Sequence, residues 1–133
     1  MNVRELRIGN VLFIPGLERE VIVSAIFRTH FVCEDKDGIR FEESLRINYQ
    51  PVQLTEEWLL KFGFIAFDDK TFIHDSLRYS DKFKFREDGV LAYVSSEVYI
   101  TDLKYVHQLQ NLYFALTGEE LTYGGNKWKH IEK

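Results

Sequence analysis

Four side chains in "FDDKTFIHD", residues 67–75, could do chemistry together: Asp68, Asp69, His74 and Asp75. Three carboxylates and an imidazole are the ligand types of a magnesium, manganese or zinc site, and such a site would support a metal-dependent hydrolase. The spacing works against it. Neighbours in a strand point to opposite faces, so His74 and Asp75 do not easily share one ion. Asp-Asp-Lys is also ordinary composition for the tip of a hairpin. The structural role is therefore the expectation, and no metal or cofactor is assigned.

A second constellation is the row Lys82, Lys84 and Arg86 in "KFKFRE", with Phe83 and Phe85 between them. Alternation of this kind places the cations on one face of a strand and the rings on the other. Cations beside exposed aromatics are what single-stranded nucleic acid recruits. Alternating charge on the solvent side of a strand is nevertheless normal. The chain carries 17 basic and 21 acidic side chains, a net charge of −4, with no strongly basic block. Phosphate-backbone affinity needs clustered Lys and Arg, so nucleic acid is not the expected partner.

Nucleophile chemistry finds no support. Ser95-Ser96 lacks a glycine elbow, and "YGGNK" near the C-terminus lacks the preceding strand of a phosphate-cradling loop. Cys33 is the single cysteine, so no internal disulfide or cysteine-built zinc site can form. Its apolar neighbours in "HFVCE" suggest packing instead of reactivity. The first residues lack the apolar run of a secretory signal, and no stretch approaches a membrane span. A soluble, cytoplasmic chain with no membrane partner is the expectation.

Four elements must position any site. Residues 4–54 read as short antiparallel strands to about Ile14, over Val21–Phe27, over Phe31–Glu34 and over Ile39–Glu42. Turns fall at Pro15-Gly16 and Asp37-Gly38. Four short strands in so little chain predict a small curved antiparallel sheet or β-barrel over 1–54. "LTEEWLLKFGF" predicts a short linking helix: Thr55 as N-cap, Glu56 and Glu57 in the first turn, Gly63 as a left-handed stop. Residues 64–100 predict a second antiparallel sheet, with hairpin turns at Asp68-Asp69-Lys70 and at Asp88-Gly89. The second domain is then 55–121, followed by a tail over 122–133.

A longer helix opens at Thr101 or Asp102 and closes before Gly118. At 100° per residue, Tyr105, Val106, Leu109, Leu112, Tyr113 and Leu116 fall within one third of its circumference, a core-facing stripe. Lys104, Gln108 and Asn111 occupy the opposite side. Leu103, His107, Gln110 and Phe114 form a separate side stripe. No acid or nucleophile stands at helical spacing from His107 to use it in catalysis. The side stripe is read as a contact surface for another protein, with Trp128 of the tail as a further contact.

"ELRIGN" at 5–10, "LTEEWLLKFGF" at 54–64 and "YVHQLQNLYFALTGEEL" at 105–121 resemble, in order and spacing, an uncharacterised family of short proteins. That family occurs in one broad group of gut-dwelling bacteria and in their phages and mobile elements. It has no established activity, catalytic residue or cofactor, so the resemblance implies a setting only: accessory genes that travel with mobile DNA. The combined expectation is an α+β fold and a non-enzymatic protein-binding role, modulating a host or phage process. A metal-dependent hydrolase and a nucleic-acid-binding module are the alternatives, and self-association is open.

Overall fold

The computed structural model describes residues 6–77, 81–86, 89–94 and 98–121. These form two compact units that divide between Val52 and Gln53. The architecture is α+β: two five-stranded antiparallel sheets, one short helix and one C-terminal helix.

The first unit holds β1 (Val11–Ile14), β2 (Arg19–Ile26), β3 (His30–Glu34), β4 (Arg40–Ser44) and β5 (Gln50–Pro51), in the order β4-β3-β2-β1-β5. The strand-rich reading of this region holds; closure into a barrel does not. β4 and β5 remain the two edges of an open sheet. The sequence of each edge explains why. β5 is two residues long and contains Pro51, which has no N–H to donate to a further strand. β4 turns Arg40, Glu42 and Ser44 outward, which discourages pairing with another strand. β5 itself is a fifth strand that the sequence pattern did not announce.

"RIGN" makes the entry to this sheet. The Asn10 amide donates to the Arg7 carbonyl (3.1 Å) across a turn in which Gly9 takes φ 95, a backbone region that glycine reaches without steric cost. Asn10 is fully buried, and its Oδ1 accepts the Arg7 amide at 2.7 Å. Beneath the turn, Leu12, Ile14, Val21, Val23, Phe31 and Cys33 pack with Leu6 and Tyr49. Cys33 lies inside this cluster. Burial first, then the nearby Glu43, Asp35 and Glu34 carboxylates, push its thiol up to about 11, so it stays protonated and inert at neutral pH.

Asp35 ties the β3–β4 hairpin. Its Oδ1 accepts the amides of Asp37 (2.9 Å) and Ile39 (3.0 Å), and its Oδ2 receives Arg19 Nη1 from the start of β2 at 2.7 Å. Gly38, at φ 84, completes the turn.

The second unit holds α1 (Glu56–Lys61), β6 (Ile65–Ala66), β7 (Thr71–Ile73), β8 (Lys82–Arg86), β9 (Gly89–Val94), β10 (Val98–Leu103) and α2 (Val106–Thr117). The strands run in simple succession, β10-β9-β8-β7-β6. α1 carries the expected caps. Thr55 Oγ1 accepts the Trp58 amide (3.3 Å), and Gly63 at φ 88 stops the helix. The Phe64 amide returns to the Leu59 carbonyl and the Gly63 amide to Leu60, both at 3.0 Å, a Schellman pairing.

The C-terminal helix departs from expectation in its start and its orientation. Thr101, Asp102 and Leu103 do not open it; they extend β10, opposite Ala92, Leu91 and Val90. Ladder bonds and the β-branched Ile100 and Thr101 outweigh the capping chemistry of Thr and Asp. The helix begins at Val106 behind Tyr105, and Gln108 Oε1 reaches back to accept the amides of Lys104 (2.8 Å) and Tyr105 (3.1 Å). Gly118, at φ 77, ends it with its amide on the Phe114 carbonyl.

Candidate functional site: the outer face of the second sheet

The stripe Leu103, His107, Gln110 and Phe114 does not form the expected contact surface. Val106, His107, Leu109, Gln110 and Tyr113 are buried, an arc of about 160° turned by about 80° from the expected stripe at 100° per residue. Leu116, expected in the core, is 39% exposed. Leu103, His107 and Gln110 are therefore interior, and His107 is only 1% exposed. Leu103 is buried because it sits on β10 opposite Val90, on the face that carries the core. His107 lies within an aromatic setting, its ring stacked on Tyr105 at 5.9 Å. Of the stripe residues Phe114 alone reaches solvent, at 39%. Trp128 and the tail lie outside the described residues, as does Ser95-Ser96.

The acidic constellation does not converge. Asp68 Oδ1 accepts the amides of Lys70 (3.1 Å) and Thr71 (2.9 Å), closing the hairpin tip in the manner of an Asx turn. Those two residues, the Lys70 amide foremost, hold its carboxyl below the usual range. His74 faces the other way. Its Nε2 lies 3.1 Å from the Phe62 carbonyl, and its Nδ1 accepts the Ser76 amide at 3.1 Å. A carbonyl can only accept and an amide only donate, so the proton sits on Nε2 and both nitrogens are engaged. Asp75 approaches the same Nδ1 more loosely, at 3.4 Å, from an exposed position. His74 thus caps the C-terminal end of α1 and packs edge-on against Phe64 (4.8 Å) and Tyr113 (5.3 Å). Among the described residues no three His, Cys, Asp or Glu side chains are grouped to hold a metal ion.

The row Lys82, Lys84 and Arg86 does lie on one face. Residues opposite each other in an antiparallel pair share a face, which lets the whole sheet be divided. The inner face carries Phe72 opposite Phe83, Phe83 opposite Ala92, and Val90 opposite Leu103, all buried. Phe64 packs edge-on against Phe83 at 5.1 Å on this side. The outer face carries two rows. In the first, Ile65 stands opposite Ile73, Lys82 opposite Tyr93, and Tyr93 opposite Tyr99. In the second, Thr71 stands opposite Lys84, Lys84 opposite Leu91, and Leu91 opposite Asp102.

Cations and rings interleave on this outer face. Lys82 Nζ sits 3.9 Å from the Phe67 ring centroid, and Lys84 Nζ 5.0 Å from that of Tyr93. Tyr93 meets Tyr99 edge-on at 5.8 Å, and the Tyr99 hydroxyl donates to Asp102. That bond, ahead of burial, raises the Tyr99 phenol above its ordinary value. Ile65, Phe67 and Tyr99 are 56%, 43% and 51% exposed. The three cations share one strand and are legible in the sequence, whereas Phe67, Tyr93 and Tyr99 are scattered along it. Tyr93 falls opposite Lys82 because Arg86 pairs with Gly89; the turn expected at Asp88-Gly89 would instead have set it opposite Lys84.

No helix among the described residues is long and apolar enough to cross a membrane. No protein-family model, curated protein or solved structure matches this chain.

Proposed function

We propose that this chain is a non-enzymatic binding protein whose partner is another protein, docked on the outer face of the second sheet. In the mobile, accessory setting that its three sequence blocks resemble, that partner is a host or phage factor, and the outcome of docking is modulation of the partner. The observation that carries the reading is the contrast between two faces of one sheet. The inner face is closed off by Phe72, Phe83, Val90, Ala92 and Leu103. The outer face keeps Ile65, Phe67 and Tyr99 in solvent beside Lys84 and Arg86. Exposed aromatic side chains and arginine with apolar neighbours are enriched in protein interfaces and in their energetic hot spots.

The test uses affinity capture from the source cell, followed by reconstitution with the captured protein in purified form. A Phe67→Ala/Tyr99→Ala variant should unfold like the wild type yet lose the partner. Leu60→Ala, an exposed apolar change on α1, should retain it. Equal recovery by all three chains would place recognition elsewhere.

A further inference from the structure

We infer that the outer face of the second sheet receives an extended acidic segment of the partner, with Lys82, Lys84 and Arg86 reading its carboxylates. The inference rests on the protein-binding reading above and adds the partner's chemistry to it. Three features of the face point that way.

The first is spacing. Lys82, Lys84 and Arg86 are alternate residues of β8, so their side chains leave the sheet about 6.5–7 Å apart along the strand. An extended peptide gives its own alternate side chains the same repeat. Carboxylates at every second position of such a segment would each meet one cation.

The second is the posture of the lysines. Phe67 and Tyr93 lie under the ammonium groups of Lys82 and Lys84, at 3.9 and 5.0 Å. A ring beneath an ammonium steadies the flexible stem and shields one side of the charge. Lys84 is exposed, so its charge can be approached from the side away from the ring. Ile65 and Tyr99, exposed at opposite edges of the first row, add apolar contact for the segment's flanking residues.

The third separates an acidic peptide from a single-stranded nucleic acid, the other polyanion with this repeat. Bases stack on bare ring faces, whereas here the Phe67 and Tyr93 faces already carry ammonium groups. A phosphate backbone also needs a broad cationic field. This row is bordered by the Asp68 and Asp102 carboxylates, on a chain of net charge −4. A short acidic segment engages the local row alone.

The experiment is fluorescence anisotropy at low salt with the full chain and four labelled probes. Three are eight-residue peptides that alternate Thr with Glu, Gln or Lys; the fourth is an oligothymidylate. The Glu peptide should bind, the Gln and Lys peptides should not, and added salt should weaken the complex. Lys82→Glu/Lys84→Glu should raise its Kd by about tenfold or more, and Lys82→Gln/Lys84→Gln should raise it less while keeping the wild-type far-ultraviolet spectrum. Equal binding of the Gln peptide, an unchanged Kd in the charge-reversed variant, or no binding of the Glu peptide would overturn the inference. Tighter binding of the oligothymidylate would also overturn it, in favour of nucleic acid. If the acidic probe fails while partner capture still depends on Phe67 and Tyr99, the acidic chemistry alone is lost. If capture is indifferent to those residues as well, the protein-binding reading falls with it.

Discussion

Gly89→Ala should be among the most damaging single changes in this chain, lowering unfolding stability by about 3–5 kcal/mol. Two separate costs combine. Gly89 takes φ 147 at the start of β9, a region that a residue with a Cβ enters only under strain. A Cβ built there would also stand 2.5 Å from the Leu103 carbonyl oxygen and 3.5 Å from the Lys104 Cα. Those are backbone atoms of the β10 end, which cannot swing aside as a flexible side chain can. Relief would require β10 to move away from β9, opening the Leu103–Val90 pair on the core face. Urea unfolding followed by tryptophan fluorescence checks it, since Trp58 is buried in the same unit. Gly16→Ala is the matched control. Nothing lies within 4 Å of its Cβ position, and the change should cost well under about 1 kcal/mol.

Asp35→Ala should cost about 2–3 kcal/mol at neutral pH, from the loss of hydrogen bonds to a charged acceptor. The change leaves the Asp37 and Ile39 amides without their acceptor and removes the carboxylate that receives Arg19. Asp35→Asn keeps a carbonyl for the amides and loses only the charge, so it should cost about half as much. The pH dependence has a definite sign. Burial alone would raise the Asp35 carboxyl, but the amides of Ile39 and Asp37 and the Arg19 guanidinium together hold it below its ordinary value of 3.8. A carboxyl depressed on folding contributes stability above its unfolded pKa and loses that contribution as pH falls through the folded one. The difference between wild type and Asp35→Asn should thus be complete at neutral pH and shrink on acidification from about pH 4 downward. Unfolding curves at pH 7 and pH 3 would show it, and a difference that grows on acidification would refute the assignment.

The local chemistry of turns and caps was legible in the sequence. Thr55, Gly63 and Gly118 each carry a signal that acts within a few residues, and each does what its type dictates. The alternation of "KFKFR" likewise places Phe83 inside and Lys84 outside. What escaped was decided by partners distant in sequence. β5 is a strand because β1 offers an edge, not because Gln50-Pro51 favours one. Thr101 and Asp102 look like a helix start, yet β9 recruits them into the sheet.

The rotation of α2 has the same origin. Helical periodicity showed where the apolar residues lie, but the sheet decides how wide an arc is covered. That arc takes in His107 and Gln110 and leaves Leu116 partly in solvent. The candidate surface inherits this difficulty. Its cations lie in one strand and can be read together, whereas its aromatic members come from β9, β10 and the residue after β6. Only the register of four strand pairs brings them to one face.

The dividing line between the side chains that hold this molecule together and those left for recognition can be measured by hydroxyl-radical footprinting of the native chain. Phe67 and Tyr99 should oxidise rapidly, while Phe83, His107 and Tyr113 stay protected until the protein is unfolded. Oxidation of His107 and Tyr113 as fast as Tyr99, or protection of Phe67 and Tyr99 in the isolated chain, would contradict the account.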